Sequence, residues 1–279
     1  MKMNFSIEEA VKKRYSVRNY LEQPIEEEIK AAVESFIASL SNPFGKKVNF
    51  HYLDPSGMEN QQKLGTYGVI KGAKQYIGTT IKLEPLALEA LGYEMEVLIL
   101  YLANKGIGTC WLGGTFNRKA FANAMKVGEE LFPIITPYGY PAEKKHLKER
   151  AMRKMINADQ RKDWKELFFD TDFQTPLTKE AAGDLAFSLE MVRLGPSASN
   201  KQPWRILRKD NRWHFYEYKE PGYSKSFPYD IQRVDMGIAA AHFELAVKEL
   251  GIDGEFDTAS KPEVELPKHM EYCFSWIQA

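Results

Sequence analysis

GYEMEVLILYLANKGI at 92–107 and GIAAAHFELAVKELGI at 237–252 are the two stretches whose comparison decides the fold. Each opens on glycine and closes on Gly-Ile, and the offsets from Gly92 to Gly237 and from Gly106 to Gly251 are both 145 positions. The spacing predicts two long apolar helices, Leu86 to Lys105 and Val234 to Leu250. Each is ended by a glycine suited to a left-handed helix cap. The flanking sequence repeats the same order. Ile25 to Leu40 carries Ile29, Val33, Phe36 and Ile37 at helical spacing behind Pro24, and Lys47 to Leu53 alternates like a strand. In the second pass Leu177 to Leu194 follows Pro176, then Trp204 to Leu207 and Trp213 to Tyr218 are strand-like. Two glycine-bounded helices could arise by chance in any α/β chain, but matched order, spacing and leading prolines indicate a diverged internal duplication. The expected class is α+β, a mixed β-sheet flanked by helices in two pseudo-symmetric halves, 1–165 and 166–279. Charged sequence from Lys144 to Glu166 forms a connector or an arm between them.

Composition excludes several functions. With 38 basic and 38 acidic residues and no long run of either sign, no global field holds nucleic acid or a membrane surface. Any anion must be held by a local cluster. Met1 to Lys13 is interrupted by Glu8, Glu9, Lys12 and Lys13, unlike a secretory signal. The apolar stretch Val97 to Ala103 is far short of the roughly 20 residues that cross a bilayer. A cytoplasmic location is expected. Cys110 and Cys273 are too few for a disulfide framework and read as reduced thiols. Five histidines without HExxH or paired-ligand spacing argue against a metal site.

Three segments could carry chemistry. Arg14-Tyr15-Ser16-Val17-Arg18 places two guanidinium groups and a hydroxyl within five residues, a donor set suited to phosphate, although a solvated turn has the same spacing. Gly106 to Gly114, including Trp111, Leu112, Gly113 and Gly114, lets backbone approach a flat ligand or turn tightly from helix to strand. Cys110 within it has no histidine partner in the sequence nearby, and reads as a packed thiol rather than a nucleophile. Pro196-Ser197-Ala198-Ser199-Asn200-Lys201-Gln202-Pro203-Trp204 sets hydroxyls and amides on a stiff backbone, suited to the heteroatom edge of a flavin or nucleotide.

Together these segments resemble the nitroreductase family of flavoenzymes. The family's Arg-x-Ser-x-Arg/Lys, Gly-Thr-x-Trp and Pro-Ser-x-x-Asn-x-Gln-Pro-Trp patterns correspond to Arg14–Arg18, Gly108–Gly114 and Pro196–Trp204. A later Gly-Tyr-Pro-Ala-Glu stretch matches Gly139–Glu143, followed by Lys148 and Arg150. The resemblance implies FMN held by Arg14, Tyr15, Ser16, Arg18, Trp111, Leu112, Gly113, Gly114, Lys148, Arg150, Pro196, Ser197, Ala198, Asn200 and Gln202. It implies no catalytic protein group, the flavin performing the chemistry. NADH or NADPH would be the hydride donor in a ping-pong reaction, and a nitroaromatic or quinone the small-molecule acceptor. A flavin-binding carrier or sensor without turnover is the alternative. Family members are mostly homodimers whose subunits each carry every motif, whereas here the motifs are divided. Ser41-Asn42-Pro43-Phe44-Gly45-Lys46 has lost the Pro-Ser-Asn pattern, and no Arg-x-Ser-x-Arg precedes Pro176. A monomer imitating the dimer and holding one composite site is therefore expected.

Overall fold

The computed structural model describes residues 5–54, 64–143 and 147–279. In the first half α1 (Ile7–Lys13) and α2 (Glu27–Ala38) precede β1 (Asn49–Leu53), β2 (Gln75–Ile81), α3 (Ala87–Asn104), β3 (Gly108–Thr109), α4 (Arg118–Ala124) and β4 (Leu131–Gly139). A connector carries α5 (Leu147–Met155), α6 (Trp164–Leu167) and β5 (Phe168–Asp170). The second half adds α7 (Lys179–Ala182), α8 (Ala186–Leu194), β6 (Trp204–Lys209), β7 (Arg212–Tyr218), α9 (Gln232–Glu249), β8 (Gly254–Asp257) and β9 (Met270–Gln278). The helix expected over 177–194 is divided, because Gly183 takes a φ of +57° and the chain makes a 3₁₀ turn before α8.

The β structure forms two sheets, one per half, with orders β1-β2-β4-β3 and β5-β6-β7-β9-β8. Without β5 the two orders are the same, and α3 and α9 occupy the same place between the second and third strands of each half. The α+β class and its two pseudo-symmetric halves follow from this correspondence. β5 is the exception that joins them. It leaves the connector and pairs parallel to β6, with Phe168 opposite Ile206, on the edge of the second sheet.

The halves meet at α3 and α9, both 18 residues long and buried almost all round. A Cβ on Gly92 would lie 2.1 Å from Val234 O, and one on Gly237 would lie 2.0 Å from Glu89 O. Val234 and Glu89 are themselves 145 positions apart, so each glycine meets the counterpart of the residue that the other meets. That reciprocity is a pseudo-dyad through the crossing. One core cluster runs through both halves, from Ile7 and Val97 to Phe243 and Trp276. A second, containing Leu53, Tyr76, Cys110, Phe121 and Ile135, covers the outer face of the first sheet. β2 is buried on both faces as a result.

Gly237→Ala is expected to push the two helices apart and lower stability by about 1–3 kcal/mol or more in urea unfolding. Gly128→Ala, where a Cβ meets nothing within 4 Å, should shift it by less than about 0.5 kcal/mol. Equal effects would remove the close crossing from the account.

Candidate functional site

Arg14 caps the carboxyl end of α1, and from there the chain runs extended beside β3. Ser16 bridges Thr109, and Val17 N–H donates to Thr109 O at 2.8 Å. Gly108 permits this approach, since a Cβ there would lie 2.7 Å from Val17 Cγ2. Tyr15 is exposed on the outer side, while Arg18 is buried with Nη1 3.4 Å from Ser16 O. The Nε atoms of Arg14 and Arg18 are buried and have no hydrogen-bond partner among the described residues. A cavity of about 430 Å³ opens here between Arg14, Tyr15 and Val17 on one side and Gly106–Thr109 and Pro141 on the other.

Positive charge converges on Arg14 from the connector. Burial lowers the pKa of its guanidinium, with Glu96 opposing that shift and Arg153 adding to it. Arg161 is pushed down to about 10 by burial and by the neighbouring cations Arg14 and Arg193. Arg153 pairs with Asp159, and Arg193 with Glu190. Arg161 instead donates to the carbonyls of Ala158, Gln160 and Leu194, at 3.0, 2.9 and 3.2 Å, which satisfy its N–H groups without neutralising its charge. Of the two basic residues singled out after Gly139–Glu143, Arg150 is exposed on α5 and the Lys148 side chain lies outside the described residues. Arg153, one turn further along α5, is the residue that reaches the Arg14 environment.

The second half sets its Pro196–Trp204 loop against the connector. Ser199, Asn200 and Gln202 all have φ near +50°, three left-handed non-glycine residues around a right-handed Lys201 that the surroundings must hold in place. Ser197 Oγ accepts from Gln202 N–H at 2.8 Å, and Ala198 N–H donates to both oxygens of buried Asp235, at 3.0 and 3.2 Å. Burial holds the Asp235 carboxyl well above the usual carboxylate range. Asn200 Nδ2 donates to Asn157 O and Gln160 O at 2.7 and 3.0 Å, while its Oδ1 accepts from Arg161 at 3.3 Å. Gln202 Oε1 accepts from Lys162 N–H at 2.8 Å. Both amides therefore grip the connector and fix Arg161 beside Arg14. Pro196 leads into the loop, half-buried.

The glycine turn packs against residues of both halves. Leu112 is buried and exchanges both backbone hydrogen bonds with Ile135, while Trp111 Nε1 donates to Glu96 at 2.9 Å. Gly113 and Gly114 face Ile231 and Phe227 of the second half, and Arg118 ties Gly113 O to the Tyr229 hydroxyl. Tyr223 from the same segment donates to Ser199 Oγ at 2.9 Å, so residues 223–231 touch both the glycine turn and the Pro196–Gln202 loop. Sequence reading missed Glu96, His242, Asp235, Arg153, Arg161, Tyr223 and Phe227. The available signal was ionisable residues inside apolar helical runs, Glu96 in α3 and Asp235 and His242 in α9.

An α+β pseudo-dimer whose connector gathers arginines beside a cavity of the first half is the class that fold and site define. A family model described as "Putative TM nitroreductase" matches residues 6–247, and the chain belongs to that family of oxidoreductases. A Thermotoga maritima structure described as a putative nitroreductase matches at 20% identity over 99% of this chain and 95% of its own, with a TM-score of 0.64. A nitroreductase family protein from Clostridium difficile matches at 20% identity over 55% of this chain and 92% of its own, with a TM-score of 0.43. A Bacteroides fragilis nitroreductase with bound FMN matches at 18% identity over 52% and 94%, with a TM-score of 0.41. No curated protein matches. Among the described residues no helix is long and apolar enough to cross a membrane.

At the first-half counterpart of the Pro-Ser-Asn loop there is a groove of about 500 Å³ lined by Ser41, Asn42, Lys46, Lys47 and Glu94. Asn42 Nδ2 donates to Glu94 Oε1 at 2.6 Å, and burial raises the Glu94 carboxyl to about 7. The folded chain then retains a proton that the unfolded chain releases near 4.5, so this group's contribution to stability falls as pH rises between those values. Glu94→Gln should accordingly gain stability relative to the wild type between pH 4.5 and 7, measured by urea unfolding at both ends of the window. A wild-type-to-variant difference that is the same at both pH values would contradict this.

Proposed function

We propose that the chain is an FMN-dependent NAD(P)H oxidoreductase with one composite site, acting on electron-poor acceptors of the nitroaromatic or quinone class. The observation that carries this reading is the convergence of Arg153 and Arg161 on Arg14, which lines the cavity and whose Nε is buried without a partner among the described residues. Like charges gathered out of water favour an anion among them. The donor set fits one monophosphate, and no glycine fingerprint for a dinucleotide pyrophosphate accompanies it.

Arg14, Arg153 and Arg161 would hold the phosphate with Ser16, Lys148 and Arg150 around them, and Arg18 and Tyr15 would face the ring end. The turn Trp111–Gly114 and the loop Pro196, Ser197, Ala198, Asn200 and Gln202 would form the walls. When bound, FMN supplies the hydride chemistry. The protein's work is to orient and to exclude water, for which Tyr223 and Phe227 bridge the walls. A nicotinamide dinucleotide would give up its hydride and leave before the acceptor takes its place, because one cleft serves both. FMN-bound and FMN-dependent members among the structural matches support the choice of flavin.

Apoprotein titrated with FMN should take up one flavin per chain, and anaerobic NADH or NADPH should bleach its absorbance. Arg14→Ala and Arg161→Ala should each weaken binding by roughly 1.5–3 kcal/mol, about one to two decades. Arg150→Ala, on an exposed side chain, should cost less. Recovery of FAD or of two flavins per chain would refute the reading, as would unchanged affinity in both of the first variants. A bound flavin that neither nucleotide reduces would indicate a carrier.

A further inference from the structure

Glu96 on α3 and His242 on α9 are wholly buried, and Glu96 Oε1 lies 2.9 Å from His242 Nε2. The other carboxylate oxygen accepts from Trp111 Nε1 at 2.9 Å. His242 Nδ1 lies 2.8 Å from Met191 O, and since a carbonyl can only accept, Nδ1 carries a proton and donates it. A second proton must lie between Nε2 and Oε1, because two lone pairs at that distance repel. The result is a continuous chain, Trp111 to Glu96 to His242 to Met191. It starts beside the Gly113-Gly114 turn of the first half, passes through both central helices, and ends on α8, which delivers the Pro196–Gln202 loop.

The pseudo-dyad provides an internal control. At the 145-position offset, Glu96 corresponds to Ala241, His242 to Val97 and Trp111 to Phe256, all apolar. The fold is thus built on the other side without this chain of bonds. Buried acid–imidazole pairs gain little over well-packed apolar residues, so stability alone does not account for it. What distinguishes the side that has it is the arginine cluster and the Pro-Ser-Asn loop.

We propose that Glu96 and His242 are positioning residues, a hydrogen-bonded strut that fixes the Trp111–Gly114 turn relative to the Pro196–Gln202 loop, the two segments that would flank a flat ligand. The inference rests on the flavin reading of those two segments. The strut acts through Trp111 and Met191.

Hydrogen exchange of the apoprotein and FMN titration test it together. Glu96→Ala should speed exchange in both 110–115 and 196–202 and weaken FMN binding by about tenfold or more. Glu96→Gln should restore both readouts to near wild type, because its amide can donate to His242 Nε2 while its carbonyl accepts from Trp111. If Glu96→Ala fails to fold, Trp111→Phe serves, and should speed exchange in 110–115 while sparing 196–202. Unchanged exchange in Glu96→Ala, or Glu96→Gln behaving like Glu96→Ala, would overturn the proposal. With Trp111→Phe, unchanged exchange in 110–115 would do so. Wild type that takes up no FMN while the exchange pattern holds would leave the strut standing and remove the flavin.

Discussion

The rest of the structure depends on how closely α3 and α9 cross. Gly92 against Val234 O and Gly237 against Glu89 O leave no room for a methyl group, so the two backbones are in contact at the pseudo-dyad. Helices this close bury each other on one side and must be covered by both sheets on the others, which is why their apolar character runs nearly all round. Any charge they carry then needs a partner inside the protein. Glu89 has Arg233, Glu94 has Asn42, and Glu96 has Trp111 and His242. Each of these contacts fixes the rotation of a helix as well as satisfying a side chain, and so the crossing sets where the surrounding loops can stand.

The connector completes what the crossing begins. Its β5 strand adds to the second sheet, while Ala142 N–H reaches back to Asn19 O in the first half, so the segment between them straddles the boundary. Asn200 and Gln202 bind its backbone at residues 157, 160 and 162, which immobilises the left-handed loop from which they project. The same contacts bring Arg161 toward Arg14 against their mutual repulsion. The carbonyls of Ala158, Gln160 and Leu194, the Asn200 amide oxygen and the charge of Asp159 offset that repulsion at Arg161.

Much of this was legible in the sequence. The glycine spacing at 145 positions identified the two central helices and their duplication, because a close helix crossing demands a small residue at one fixed place in each copy. The motif segments could be quoted in advance: Arg14–Val17 lines a cavity beside Gly106–Thr109, the Trp111–Gly114 turn packs against Ile231 and Phe227, and the Pro196–Gln202 loop binds the connector. What the sequence could not show was the direction of individual side chains. Asn200 and Gln202 are polar in a polar loop, and nothing local says that they face the connector. Arg153 and Arg161 sit in a charged stretch of which periodicity selects no member. The break at Gly183 was missed because the apolar pattern continues through it.

The two sides of the dyad differ in packing as much as in sequence. Where Trp111 meets Glu96 on one side of the dyad, its counterpart Phe256 stands 5.9 Å from Phe44 in ring centroid distance, and Phe44 lies 5.1 Å from Phe274. Phe44 belongs to the Ser41–Lys46 loop, so the first-half counterpart of the Pro-Ser-Asn loop turns an aromatic ring inward. Asn42 then closes its own loop, accepting from Phe44 and Lys46 N–H and donating to Glu94. An apolar cluster of this kind is stabilised by burial and needs no ligand to complete it. A fused chain can differ in this way between its halves, whereas in a symmetric homodimer the same substitution would appear on both sides of the axis.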